Sequence, residues 1–100
     1  MKVVITNTAQ EDLLAIGRRI AESNLPRALS FMDELESKCR KLSDMPRAFP
    51  LLPNWEHTGI RRRVHGDYLI FFRINKTEIE ILHILHGARD FEAVLFPEEP

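Results

Sequence analysis

Residues 68–74, Tyr-Leu-Ile-Phe-Phe-Arg-Ile, constrain this chain more than any other stretch. In an extended strand Tyr68, Ile70, Phe72 and Ile74 point to one side, Leu69 and Phe71 to the other. Both sides are apolar, so this strand must be covered twice. Residues 60–64 and 78–86 read as its neighbours, with Gly66-Asp67 and Asn75-Lys76-Thr77 as the turns, which gives an antiparallel meander.

The first cover is visible upstream. Val3-Val4-Ile5 reads as a short opening strand. Thr8-Ala9-Gln10-Glu11 matches a capping box, in which the Thr8 hydroxyl accepts from the Glu11 amide and the Glu11 carboxylate reaches back. Leu13, Ile16 and Ile20 then repeat at helical spacing, with Arg18, Arg19 and Glu22 set outward. Ser23-Asn24-Leu25-Pro26 breaks this helix, and Pro26 suits the first turn of the next. There Ala28, Phe31, Met32, Leu35, Cys39 and Leu42 form a single apolar stripe. Two helices joined so tightly form an antiparallel hairpin, which covers one face of the meander. The second face needs either the C-terminal Phe91, Val94, Leu95 and Phe96 or a bound partner. Between hairpin and meander, Pro46, Pro50 and Pro53 enforce a stiff loop, which Trp55 pins against the body.

The chain is thus expected to be one α+β domain over its 100 residues, ordered β-α-α-β-β-β: hairpin 8–44, Pro-rich loop 46–58, meander 60–86 and C-terminal segment 88–100. One cysteine, Cys39, excludes a disulfide framework and a Cys-rich zinc site. Cys39 lies on the apolar stripe, where packing explains it. With no leader and no apolar run of spanning length after Met1, a cytoplasmic protein without a membrane anchor is expected. A net charge of −1 argues against bulk capture of a polyanion, and no sequence-specific nucleic-acid binding is expected. Yet residues 59–73 hold four arginines and one acid, Asp67, while acids collect in the helices and at Glu98-Glu99. That asymmetry fits a specific acidic partner.

The order of elements carries residues that resemble a known family: Ala9 and Asp12-Leu13 opening the first helix, Pro46 past the second, Gly59-Ile60-Arg61, Tyr68-Leu69-Ile70-Phe71-Phe72, and Ile84-Leu85-His86-Gly87-Ala88-Arg89-Asp90. Together they resemble the ParE branch of the RelE/ParE toxin superfamily, the toxin halves of bacterial type II toxin–antitoxin modules. The resemblance implies a small toxin in a hetero-oligomer with a ParD-like antitoxin, whose disordered C-terminal segment folds as it wraps the toxin. It also implies one of two activities. ParE-like members poison DNA gyrase, and RelE-like members cut messenger RNA on the ribosome.

RNA cleavage of the RelE kind uses no metal or cofactor. It takes a general base, a general acid and cations around the phosphorane. The candidates here are His86, Arg89, His65 and Arg61, with His83, Arg62, Arg63 and Arg73 in reserve. The set is incomplete. Leu69 stands where such enzymes carry an arginine, and Leu95 and Phe96 stand near the place of RelE's catalytic tyrosine. His83 and His86, an odd number of positions apart, face opposite ways and do not converge on a metal. A gyrase poison needs only a surface, and Arg61, Arg63, Arg89, Phe91, Leu95 and Phe96 are its candidates. Arg62, on the face of Ile60 and Val64, is expected to snorkel or to pair with Glu78, Glu80 or Asp67. Arg89-Asp90 reads as a local ion pair bracing the corner.

Overall fold

The computed structural model describes residues 1–98, so Glu99 and Pro100, the end of the C-terminal segment, lie outside the described residues. The elements are β1 (Lys2–Ile5), α1 (Asn7–Ala21), α2 (Leu25–Arg40), β2 (Ile60–His65), β3 (Tyr68–Asn75), β4 (Glu78–His86) and a short α3 (Phe91–Leu95). They build a four-stranded mixed sheet in the order β1-β4-β3-β2. The expected meander is present, and β1 adds to it by pairing parallel to β4 from Lys2↔Glu78 to Ile5↔Ile81.

Both faces of β3 are covered by this chain itself. Toward the hairpin, Ile70 and Phe72 are fully buried among Ile16, Phe31, Leu35, Cys39, Leu42, Ile79, Ile81 and Ile84. On the opposite face Phe71 is fully buried with Leu52, Ile60 and Leu85, under Trp55, Phe91, Val94, Leu95 and Phe96. Each such phenylalanine contributes about 1.5–3 kcal/mol by leaving water. Of the two possible covers for the second face, the C-terminal segment is the one observed, helped by the Pro-rich loop. Trp55 pins the two together: its ring stacks on Phe96 at 3.8 Å and its Nε1 donates to Glu92 at 3.0 Å.

A bulge sets the facing of β4. Phe71 pairs with His83 and Phe72 with Ile81, so Leu82 is the extra residue. It shifts the alternation, so that Ile81 and Ile84 both face the hairpin while Leu82 and Leu85 join the second core.

The start of α1 differs from expectation. Thr6, not Thr8, is the N-cap, its hydroxyl oxygen accepting from the Ala9 amide at 3.2 Å. β1 ends at Ile5 and the chain turns into the helix with no linker, so Thr8 already lies inside the helix and no capping box with Glu11 forms. The Thr6 hydroxyl also donates to the Ile81 carbonyl at 2.6 Å, tying helix start to sheet. In α2 the cap is Asn24, which accepts from the Arg27 amide at 3.0 Å, with Pro26 in the first turn as expected.

Both sheet edges are blunted. Along β1, Arg40 donates to the Val3 carbonyl at 2.9 Å and Gln10 to the Ile5 carbonyl at 3.0 Å. Along β2 the Pro-rich loop adds an antiparallel bridge, with the Leu52 amide on the Ile60 carbonyl (3.0 Å) and the Arg62 amide on the Pro50 carbonyl (3.1 Å).

Candidate functional site

β1 stops short of the end of β4, and Asp12 takes the place of a neighbouring strand there. Its Oδ2 accepts from the Ile84 amide at 3.0 Å and from His83 Nδ1 at 2.8 Å. His83 is therefore held by the fold. His65, the last residue of β2, is held too: its Nε2 lies 3.2 Å from Glu34 and its ring 5.6 Å from that of Phe31. Arg27 hydrogen-bonds the same Glu34 and lies over Phe31. The Arg27 guanidinium first, and His65 second, hold the Glu34 carboxyl below its ordinary range.

The arginines of β2 divide by face. Arg61 and Arg63 oppose Phe72 and Ile70 on the hairpin side. Arg61 donates to the Phe49 carbonyl at 2.8 Å. Arg63 lies 4.8 Å over the Phe49 ring and reaches the Lys38 carbonyl in the last turn of α2 at 3.4 Å, where the helix end favours a cation. Both guanidiniums clamp the loop and the hairpin to the edge strand. Arg62 takes none of the expected acidic partners. It opposes Phe71 on the second face and sits 6.0 Å from the Phe91 ring, while Glu80 pairs with Arg73 at 3.5 Å. Of the C-terminal candidates, Phe91 lies 5.2 Å from Phe71, and Leu95 and Phe96 pack half-buried on the same core.

The remaining candidates, His86 and Arg89, come together at the corner after β4. The Gly87 amide donates to the Asp67 carbonyl at 2.7 Å and the Arg89 amide to the His86 carbonyl at 3.0 Å, which fixes the turn. The Ala88 amide donates to His86 Nδ1 at 3.0 Å, so the neutral ring carries its proton on Nε2. Tyr68, opposite His86 in register, meets its ring edge-on at 5.2 Å. Arg19 of α1 closes the other wall of a cleft of about 170 Å³ lined by Arg19, Tyr68, His86 and Arg89 over Ile16 and Ile84. No ion pair joins Arg89 to Asp90 among the described residues, since Asp90 caps α3 by accepting from the Ala93 amide. The sequence marks Arg19 only as outward-facing. What brings it to the corner is the packing of α1 on β4, which no local pattern encodes.

Among the described residues no His, Cys, Asp and Glu cluster could hold a metal. No described helix is long and apolar enough to cross a membrane. The Cys39 thiol, buried in the hairpin core, is pushed up to about 12 by burial.

A two-helix hairpin on a mixed four-stranded sheet is the α+β architecture of small toxin domains of toxin–antitoxin pairs. The chain belongs to the ParE toxin family of type II toxin–antitoxin systems (parDE), whose family model matches residues 3–91. It is therefore the toxin component of such a system. Among solved structures it is similar to the chromosomal ParDE toxin–antitoxin system from P. aeruginosa, at 22% identity and a TM-score of 0.71, over 86% of this chain and 95% of that one. It is also similar to the RelBE2 toxin–antitoxin complex from Mycobacterium tuberculosis, at 27% identity and a TM-score of 0.56, over 85% and 95% of the two chains. No curated protein matches it. The α+β fold and the superfamily expected from the residues are thus observed.

Proposed function

We propose that this toxin acts in the cytoplasm by poisoning DNA gyrase through surface contact, and that a cognate antitoxin of the ParD kind holds it silent in a hetero-oligomer. The observation that supports contact over catalysis is the dispersal of the candidate nuclease groups: two of the four, His65 and Arg61, are engaged within the fold away from the corner that holds His86 and Arg89. His83 is bonded to Asp12, His65 to Glu34 and Arg61 to the Phe49 carbonyl. A general base, a general acid and cations must converge on one phosphodiester, and His83, His65 and Arg61 do not line the cleft that holds His86 and Arg89.

One observation favours the RelE-like alternative: His86, Tyr68 and Arg89 share one open cleft. Pulse labelling after induction of this gene alone separates the two. Gyrase poisoning stops thymidine incorporation first and raises DNA-damage signalling. Ribosome-dependent cleavage of messenger RNA stops methionine incorporation at once and spares DNA synthesis. Loss of neither marks a module that keeps antitoxin binding without toxicity.

A further inference from the structure

The corner cleft contains more hydrogen-bond donors than the fold uses. Among the described residues neither Arg19 nor Arg89 forms an ion pair or a side-chain hydrogen bond with the rest of the chain, although most of the other guanidiniums on the sheet and hairpin are engaged. His86 turns its Nε2–H away from the backbone, because Nδ1 is occupied by the Ala88 amide. Tyr68 lines the same wall. These four groups offer donors around an apolar floor of Ile16 and Ile84. A second hollow continues the cleft past Arg19, Tyr68 and His86 toward Arg27 and Asp67. Two arginines from opposed elements, α1 and the turn after β4, line one cleft, and guanidiniums so placed suit an oxyanion.

Carboxylate and phosphodiester are the two oxyanions a macromolecule brings, and the surroundings favour the first. Asp12 stands in the cleft wall and Asp67 in the adjoining hollow, which breaks the positive field that a polyanion backbone would follow. The whole chain carries a net charge of −1. Apolar side chains beside the donors match a segment that alternates acidic and apolar residues.

We infer that the Arg19–Arg89 cleft, with Tyr68 and His86, is a docking site for one carboxylate of an acidic, amphipathic polypeptide segment. Resting on the reading above, the natural owner of that segment is the antitoxin.

The test is an NMR titration of the full isotope-labelled chain with two probes of equal charge: a capped peptide alternating glutamate and leucine, and a short oligouridylate. The expected result is that the peptide shifts the Arg19 and Arg89 Nε–H signals and the His86 ring. Its affinity falls at least about tenfold in R19Q/R89Q, as loss of hydrogen bonds to a charged group requires. R89K keeps the charge and loses the guanidinium, and is expected in between. Both arginines are exposed, so the variants keep the fold, and unchanged amide spectra verify it. Tighter binding of the oligouridylate at the same signals would overturn the carboxylate assignment. So would peptide shifts confined to other surfaces, or an affinity unchanged in R19Q/R89Q. If the peptide seats there but a ParD-like antitoxin found encoded beside this gene does not bind the wild-type chain, the site stands and the antitoxin reading falls.

Discussion

Removing the Asp12 carboxylate tests whether a side chain substitutes for a strand at the end of β4. In Asp12→Ala the Ile84 amide, inside the sheet and donating over 3.0 Å, is left with no acceptor. A lost hydrogen bond to a charged group, with its donor stranded in part-buried surroundings, costs about 2 kcal/mol. The His83 contact at 2.8 Å joins side chains about a fifth exposed, so solvent screening limits it to roughly 1 kcal/mol. The sum, about 3 kcal/mol, corresponds to a fall in Tm of roughly 12–24 °C for a domain of this size. Asp12→Asn keeps an acceptor for the amide and loses only charge, so about half that loss is expected. His83→Ala should lose about 1 kcal/mol. Thermal and urea unfolding followed by far-UV circular dichroism gives all three values. A loss under about 0.5 kcal/mol in Asp12→Ala, or an equal loss in Asp12→Asn, would refute the argument.

Cys39 should resist a thiol reagent in the folded protein and react only as fast as the chain unfolds, since its thiol is buried and pushed up to about 12; Ellman's reagent with and without urea measures this. The Glu34 carboxyl is held below the usual 4.5, first by Arg27 and then by His65, so in acid the unfolded chain binds the extra proton. Its contribution is present above that value and disappears as pH falls through the lowered one, so Glu34→Gln should flatten this part of a Tm-against-pH curve. Phe96→Ala removes the ring stacked on Trp55, and a loss of about 1–2 kcal/mol with red-shifted tryptophan emission is expected. A methyl group at Gly17 would land on the Met32 sulfur, so Gly17→Ala alone should gain little. In a Met32→Ala background the same change should recover the helix-propensity gain of about 1 kcal/mol in thermal unfolding.

The two-sided pattern of residues 68–74 announced a doubly covered strand, and the alternation in Tyr68–Asn75 survives intact in the structure. The apolar stripe of α2 was equally legible, because helix packing follows a local period. What the sequence hides is relational. Nothing near Val3 states that it pairs with Ile79, and nothing near Leu82 states that it is the extra residue of a bulge. Thr6 and Thr8 carry the same cap chemistry, and only the end of β1 decides between them. At the corner, His86 and Arg89 stood out because a strand ends there. Arg19 did not, since its role depends on where α1 lies. Arg61 and Arg63 read as free cations by composition, whereas carbonyls of distant segments occupy them.

The pairing of Lys2 with Glu78 has a consequence for biosynthesis. β1 cannot find its partner until the chain has been made as far as Glu78–Ile81, and contacts so distant in sequence are slow to close. At about 5–20 residues per second the nascent chain spends several seconds with β1 unpartnered. Arg89 and the segment that covers Phe71 emerge later still. A growing copy therefore completes neither its four-stranded sheet nor the corner that holds Arg89 until those segments have been made.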